Sequence, residues 1–244
     1  MDRYKLVIQY DGTNFFGWQI QKKRRTIQGL IENTILKMKL SNNRVKIYGS
    51  GRTDTGVHAW GQVAHLDLDT KLNNTDFKNA MNSYLPKDCR IVAIEKVNKD
   101  FHSRYDARRR SYRYQCYTGE SILFRNQSWQ LPKLSIDFLN DLSKYIIGNH
   151  DFLSFSKYRK ELKNTKCTIY QSNWSCNQEM IVFKINANRY LHHMIRYLVG
   201  SMVGVYHNRM TKKEFLLLLN KPRKNVKIFK APPIGLILEK IDYE

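Results

Sequence analysis

The chain has 244 residues, 42% of them hydrophobic, and carries 42 Lys and Arg against 21 Asp and Glu, for a net charge of +21. This composition excludes a disordered chain, and every apolar run is broken by charge well short of a membrane span. A positive field of that size favours a polyanion as partner.

In chain order, Tyr4 to Tyr10 alternates as a strand and ends at the turn Asp11-Gly12. Thr26 to Leu40 reads as a helix, capped by Thr26, with Ile27, Leu30, Ile31, Ile35 and Met38 as its apolar stripe. Strands follow at Val45 to Ser50 and Gln62 to Leu68. Thr75 is expected to cap a second helix that Pro86 stops, and Arg90 to Val97 is a strand. The first half therefore runs β-α-β-β-α-β. The second half repeats the order. It has a strand from Ser111 to Thr118, a helix from Ser135, a hairpin of Cys167 to Cys176 with Met180 to Ala187, and an apolar helix from Tyr190 to Tyr206. A short helix behind the capping box Thr211-Lys212-Lys213-Glu214 and a closing strand from Gly235 to Tyr243 complete it. The expected architecture is α+β: two ferredoxin-like halves, residues 1–104 and 105–244, with mainly antiparallel sheets joined around a basic cleft.

The N-terminus enters a strand pattern after Asp2, Arg3 and Lys5, without the apolar core of a signal peptide. Cys89, Cys116, Cys167 and Cys176 form no Cys-x-x-Cys pair and no zinc-finger spacing with histidine, so reduced thiols in a cytoplasmic protein are expected. His192 and His193 are adjacent, which on a helix directs them differently and does not make a two-point metal site. Basic residues cluster at Lys22 to Arg25, Arg104 to Arg113, Lys157 to Lys166 and Lys221 to Lys230. The second cluster carries Tyr105, Tyr112 and Tyr114, and the third carries Phe155 and Tyr158. Cations that hold phosphates beside rings that stack on bases suit RNA.

The most informative stretch is Gly51-Arg52-Thr53-Asp54-Thr55-Gly56-Val57-His58-Ala59. It sets a carboxylate two residues from a cation and between two glycines, on a loop between strands. Asp alone would be a turn residue. Beside Arg52 it stays ionised and can serve as nucleophile or base. Asp-Thr-Gly also matches half of an aspartic protease site, but such enzymes need a second carboxylate sharing a proton, and the flank here is polar and basic.

This nonapeptide resembles the signature of the TruA family of tRNA pseudouridine synthases. Tyr10-Asp11-Gly12-Thr13 with Phe16-Gly17-Trp18-Gln19 is similar to the family's opening. Phe101-His102-Ser103-Arg104-Tyr105 leading to Tyr112-Arg113-Tyr114 is similar to its second motif. Asn188 through His192-His193-Met194-Ile195-Arg196 to Val199-Gly200-Ser201 is similar to its third, and Ala231-Pro232-Pro233 with Gly235-Leu236 to its closing strand. The resemblance implies an isomerase that detaches uracil from its ribose, turns it and rejoins it through C5, with no metal or other cofactor. It implies Asp54 as the catalytic carboxylate, Arg196 as its charge partner and Tyr112 as the ring that stacks on the target uracil. Substrate contacts would come from Arg52, which fills the place of the flipped base or holds its phosphate. Others would come from Thr53, His58, Arg110, Arg113 and Leu236, His58 and Leu236 having packing roles as their alternatives. It further implies uridines 38–40 of the tRNA anticodon stem-loop as targets and a homodimer as the working form. A paralogue with another RNA target, for which the run Arg108-Arg109-Arg110 is the motive, and a non-catalytic RNA-binding protein are the competing expectations.

Overall fold

The computed structural model describes residues 1–160 and 164–243. They form two compact units: one runs from Arg109 to Leu236, and the other takes up the remaining described residues. Among the described residues no helix is long and apolar enough to cross a membrane.

The first unit begins with strand β1 (Asp2–Tyr10), in which Tyr4, Leu6, Ile8 and Tyr10 are buried at every second position. Helix α1 (Ile27–Lys37) follows. The Thr26 hydroxyl accepts from the Gly29 N–H at its start, and Ile27, Ile31 and Ile35 face the core with no exposed surface. Burying each such side chain contributes roughly 1.5–3 kcal/mol. Strands β2 (Tyr48–Gly49) and β3 (His58–Leu68), helix α2 (Asn74–Tyr84) and strand β4 (Cys89–Val97) complete the expected order. Asn73, rather than Thr75, caps α2 through the Asp76 N–H, because Asn73 is the residue left in extended conformation with its side chain over the first turn.

β1 lies between β4 and β3, antiparallel to both. The other edge of β3 is shared. β2 covers Ala64 and His65 antiparallel, and strand β10 (Leu236–Asp242) covers His58 and Ala59 parallel. β2 is far shorter than the expected run from Val45 to Ser50. The Ser50 N–H still reaches the Val63 carbonyl at 2.8 Å, but the Gln62 side chain then takes the Gly51 carbonyl at 2.9 Å. A side chain has replaced the ladder, and the backbone leaves the sheet as a loop at that point.

The second unit is an antiparallel sheet in the order β5 (Arg109–Tyr117), β9 (Met180–Ala187), β8 (Lys166–Asn177) and β7 (Gly148–Asp151), with the two-residue β6 (Trp129–Gln130) parallel to β5. Gln178, at φ +55, turns the β8–β9 hairpin as Asn177-Gln178 suggested. Helix α3 (Ile136–Lys144) is capped by Ser135 and packs Leu139 and Leu142 into the core on the β8 side. Helix α4 (Met194–Tyr206) is buried almost all round, and α5 (Lys212–Asn220) opens with the capping box between Thr211 and Glu214. α4 starts four residues later than the apolar pattern suggested. His193 sits in the left-handed region at φ +65, which breaks helical hydrogen bonding at the N-terminal boundary. The short β6 and β7 have no apolar alternation to announce them.

Candidate active site

In the first unit the loop between β2 and β3 is held along its length. Thr53 is buried; its hydroxyl lies 2.8 Å from the Tyr10 hydroxyl, and its carbonyl accepts from the Trp18 N–H at 3.1 Å. The Asp54 carbonyl accepts from the Val57 N–H at 3.2 Å, closing a four-residue turn. Gly56 stands at the third place of that turn with φ +77, the conformation a type II turn demands there. The Gly56 N–H donates to the Phe15 carbonyl. Beneath the loop lies the segment from Tyr10 to Trp18. A Cβ on Gly12 would strike the Val57 carbonyl; one on Gly17 would lie 2.5 Å from the Thr53 carbonyl, and Gly17 itself has φ +80. The two parts of the opening motif therefore form a cradle for the Asp54 loop, and their glycines admit its backbone.

These contacts leave the Asp54 side chain half-buried between the anchored Thr53 and the buried Val57, while Arg52 is exposed. His58 is buried and belongs to the scaffold. Its Nδ1 lies 3.0 Å from the Gly12 nitrogen and 3.1 Å from an Asp11 carboxylate oxygen. The Gly12 N–H donates to that nitrogen and ties the ring to the cradle. Burial works against ionising Asp11, but bonds from the Thr13 hydroxyl and N–H outweigh it and bring its pKa below the usual value. The packing alternative for His58 accounts for these contacts.

A second layer fixes the cradle. The Gln28 side chain accepts from the Gln19 amide and the Ile20 N–H, and donates to the Ile47 carbonyl and to Glu32. Glu32, buried, accepts from the Ile47 N–H and from Arg44. One face of α1 thus ties down both segments that flank the loop.

In the second unit, Arg110 and Tyr112 lie on one face of β5, and the pleat sets Arg113 on the other. The Tyr112 ring meets Tyr190 edge to face at 5.2 Å. The Tyr190 hydroxyl donates to the Arg110 carbonyl at 3.2 Å, and the Arg110 guanidinium donates to the Asn188 carbonyl at 2.7 Å. Burial, reinforced by Tyr112, pushes the Tyr190 phenol well above its ordinary pKa, so it stays a neutral donor. Tyr190 and Asn188 were given no role by sequence reasoning. The only signal was their place inside the third motif.

Arg196 is buried on the first turn of α4. Its Nε donates to the Ala231 carbonyl at 2.8 Å, and the Ala231 N–H returns a bond to the Arg196 carbonyl at 3.0 Å. Gly200, one turn on, lies against the backbone of Phe229 and Ala231. The closing segment is fixed further by the Tyr114 hydroxyl, which donates to the Pro232 carbonyl at 2.8 Å. Leu236 at its end is buried. Burial raises the Tyr114 pKa, opposed by the nearby Arg196 charge. Of the sequence candidates, Arg52, Thr53, Asp54 and His58 thus share one loop of the first unit. Arg110, Tyr112, Arg113, Arg196 and Leu236 belong to the second. The Lys157 to Lys166 cluster includes 161–163, which lie outside the described residues.

The sequence matches the profile of a family described as tRNA pseudouridine synthase over residues 6–106 and 142–244. It is 36% identical to a tRNA pseudouridine synthase A of Maridesulfovibrio salexigens over 249 residues, covering 100% of this chain and 91% of the relative. It is 38% identical to that of Ehrlichia chaffeensis over 246 residues, covering 99% and 100%. It is 36% identical to that of Phytoplasma mali over 242 residues, covering 98% of each.

Proposed function

The chain belongs to the tRNA pseudouridine synthase family and is an isomerase of tRNA uridine, and from that premise we propose that Asp54 is its catalytic carboxylate and the anticodon stem-loop its target. The reaction breaks the bond from ribose C1′ to uracil N1 and forms one from C1′ to C5. C5 loses a proton and N1 gains one, so the atoms balance without a redox partner.

The observation that carries the assignment of Asp54 is the anchoring of its neighbours. Buried Thr53 on one side and the Gly56 turn on the other leave the carboxylate little freedom to relax. A group held in advance loses little entropy on reaching the transition state. Arg196, buried on the first turn of α4 where a charge needs a partner, is proposed to be its charge partner, keeping it ionised. Tyr112, backed by Tyr190, is proposed to stack on the target uracil, with Leu236 as an apolar wall. Arg52, exposed at the loop, suits a contact to the vacated base position or its phosphate. Thr53 serves through the loop backbone, and Arg110 through the same face as Tyr112. Arg113, on the opposite face of β5, suits a more distant part of the RNA.

Uridines 38–40 are the proposed targets, and the enzyme is proposed to work as a homodimer in the cytoplasm, in keeping with its four free thiols. The test is incubation with unmodified tRNA followed by pseudouridine mapping. The expected result is product at positions 38–40 with the wild type and none with Asp54→Ala, which still binds tRNA. Product with Asp54→Ala at the wild-type rate would remove Asp54 from the mechanism. Product elsewhere in the RNA would favour the paralogue.

A further inference from the structure

The first part of the second motif, Phe101-His102-Ser103-Arg104-Tyr105, lies in the first unit and takes no part in the site proposed above. It builds a ladder of rings. Tyr48 of β2 stacks on His65 of β3 at 5.1 Å and 14°. His65 meets His102 at 4.7 Å, and His102 meets Tyr105 at 4.3 Å and 32°. The inner end is fixed. Ser103, fully buried, donates its hydroxyl to the Tyr48 carbonyl at 2.6 Å and lies 2.9 Å from His65 Nδ1, while the Tyr243 hydroxyl donates to the Ser103 carbonyl. The outer end is fixed too. His102 Nδ1 accepts from the N–H groups of Arg104 and Tyr105, and the Asp106 carboxylate accepts from the His102 N–H.

The last ring nevertheless faces solvent: Tyr105 is 76% exposed and Tyr48 41%. A tyrosine ring this exposed gains little from its own burial. Its support by His102 and by its own backbone N–H costs ordering without covering the ring. Cations stand beside the rings, with Arg104 at 5.8 Å from the Tyr105 centroid and Lys46 at 4.9 Å from that of Tyr48. Burial, helped by His102 and Arg3, lowers the His65 pKa to about 4, so His65 is uncharged at neutral pH.

We propose that the Tyr105 ring is a preformed stacking platform for an unpaired base of the tRNA substrate, with Arg104 and Lys46 holding adjacent phosphates. The base it takes is one other than the uridine being isomerised. Base-on-ring stacking tolerates any base and adds affinity without reading sequence. A ring ordered before binding avoids much of the entropy cost of ordering it on contact. The proposal rests on tRNA being the substrate, which wild-type turnover in the same assay checks independently.

The experiment measures Kd for unmodified tRNA across a salt series, and the single-turnover rate at saturating protein, for the wild type, Tyr105→Ala, Tyr105→Leu, Tyr105→Phe and Arg104→Ala. Stacking predicts that Tyr105→Ala and Tyr105→Leu raise Kd about 5- to 100-fold while Tyr105→Phe stays within about twofold. The saturated rate is unchanged in all three, and so is the slope of log Kd against log salt, because the ring neutralises no phosphate. Arg104→Ala should reduce that slope by about one. Wild-type Kd in Tyr105→Ala, or a Tyr105→Phe as weak as Tyr105→Ala, overturns the platform. A change of sedimentation in RNA-free Tyr105→Ala would assign the ring to a protein contact and also overturn it. Wild-type protein that binds tRNA without isomerising it would refute the proposed chemistry but leave the platform standing.

Discussion

The loop carrying Asp54 and the elements carrying Tyr112 and Arg196 solve the same problem of holding a polar group still, and they do so differently. In the second unit, regular structure does the work. Tyr112 stands on a strand with an unbroken register to β9, and Arg196 on a buried helix. Supporting side chains such as Tyr190 adjust what the scaffold already fixes. In the first unit no repeating ladder reaches the loop. Its backbone is held by single bonds to the segment from Tyr10 to Trp18, and that segment must come so close that side chains are excluded at Gly12 and Gly17. The lesson is that tolerance should differ. Backbone space is critical at the Asp54 loop, and side-chain partners are adjustable at Tyr112.

The sharpest way to break this comparison is Gly17→Ala. A Cβ at φ +80 and 2.5 Å from the Thr53 carbonyl must push the loop away. Because small misplacements of a catalytic group cost on the order of 100-fold, turnover should fall by about that factor or more with tRNA affinity retained. A turnover near wild type would show that the cradle is not what positions Asp54.

The next effect is on stability against pH. His65, in the first unit, has its pKa lowered from 6.5 to about 4 by burial. The unfolded chain therefore takes up the proton first, and stability is complete above pH 6.5 and lost as pH falls toward 4. At about 1.36 kcal/mol per pKa unit, the loss is at most about 3.4 kcal/mol. Hydrogen exchange at pH 4.5 should show protection of β3 and β2 falling before that of β8 and β9. The reverse order would contradict the placement of His65 as a neutral core group.

A smaller effect belongs to the second unit. Tyr190→Phe removes one hydrogen bond to the Arg110 carbonyl and keeps the ring against Tyr112. It should cost about 1 kcal/mol, read as a fall of a few degrees in Tm, and change turnover by less than tenfold. The smallest effect is at the thiols. Cys176 is exposed, whereas burial pushes Cys89 up to about 12 and Cys167 up to about 11. A thiol reagent should label Cys176 alone in the native protein at neutral pH without loss of activity.

Most of the element order was legible in the sequence because it rests on apolar periodicity. The stripe Ile27, Ile31, Ile35 and the alternation Tyr4, Leu6, Ile8, Tyr10 bury as their spacing requires. What escaped depends on contacts distant in sequence. β2 is cut to two residues from both ends, by Gln62 of the opposing strand at Gly51 and by Gln28 and Glu32 of α1, which take both backbone groups of Ile47. The start of α4 is set by the backbone of His193, and α2 by a cap two residues earlier than expected. For the candidate site, motif and loop were visible, but the reason for the motifs was not. Gly12 and Gly17 matter for what lies above them, and the sequence holds no trace of that adjacency. Glu32 and Gln28 lie outside the apolar stripe of α1, yet both are buried.

The shared edge of β3 bears on how the protein is made. Residues 58 and 59, at the foot of the Asp54 loop, gain their partners from 237 and 238, about 180 residues later in the chain. During synthesis the first unit therefore waits, with one strand edge open, until the whole second unit has emerged. Closing so long a loop is slow relative to local folding, and an open edge invites pairing with other chains. The strand that completes the sheet beside the Asp54 loop therefore arrives after the rest of the first unit's strands, so a ribosome-bound chain lacking it carries the motif without the finished support for it.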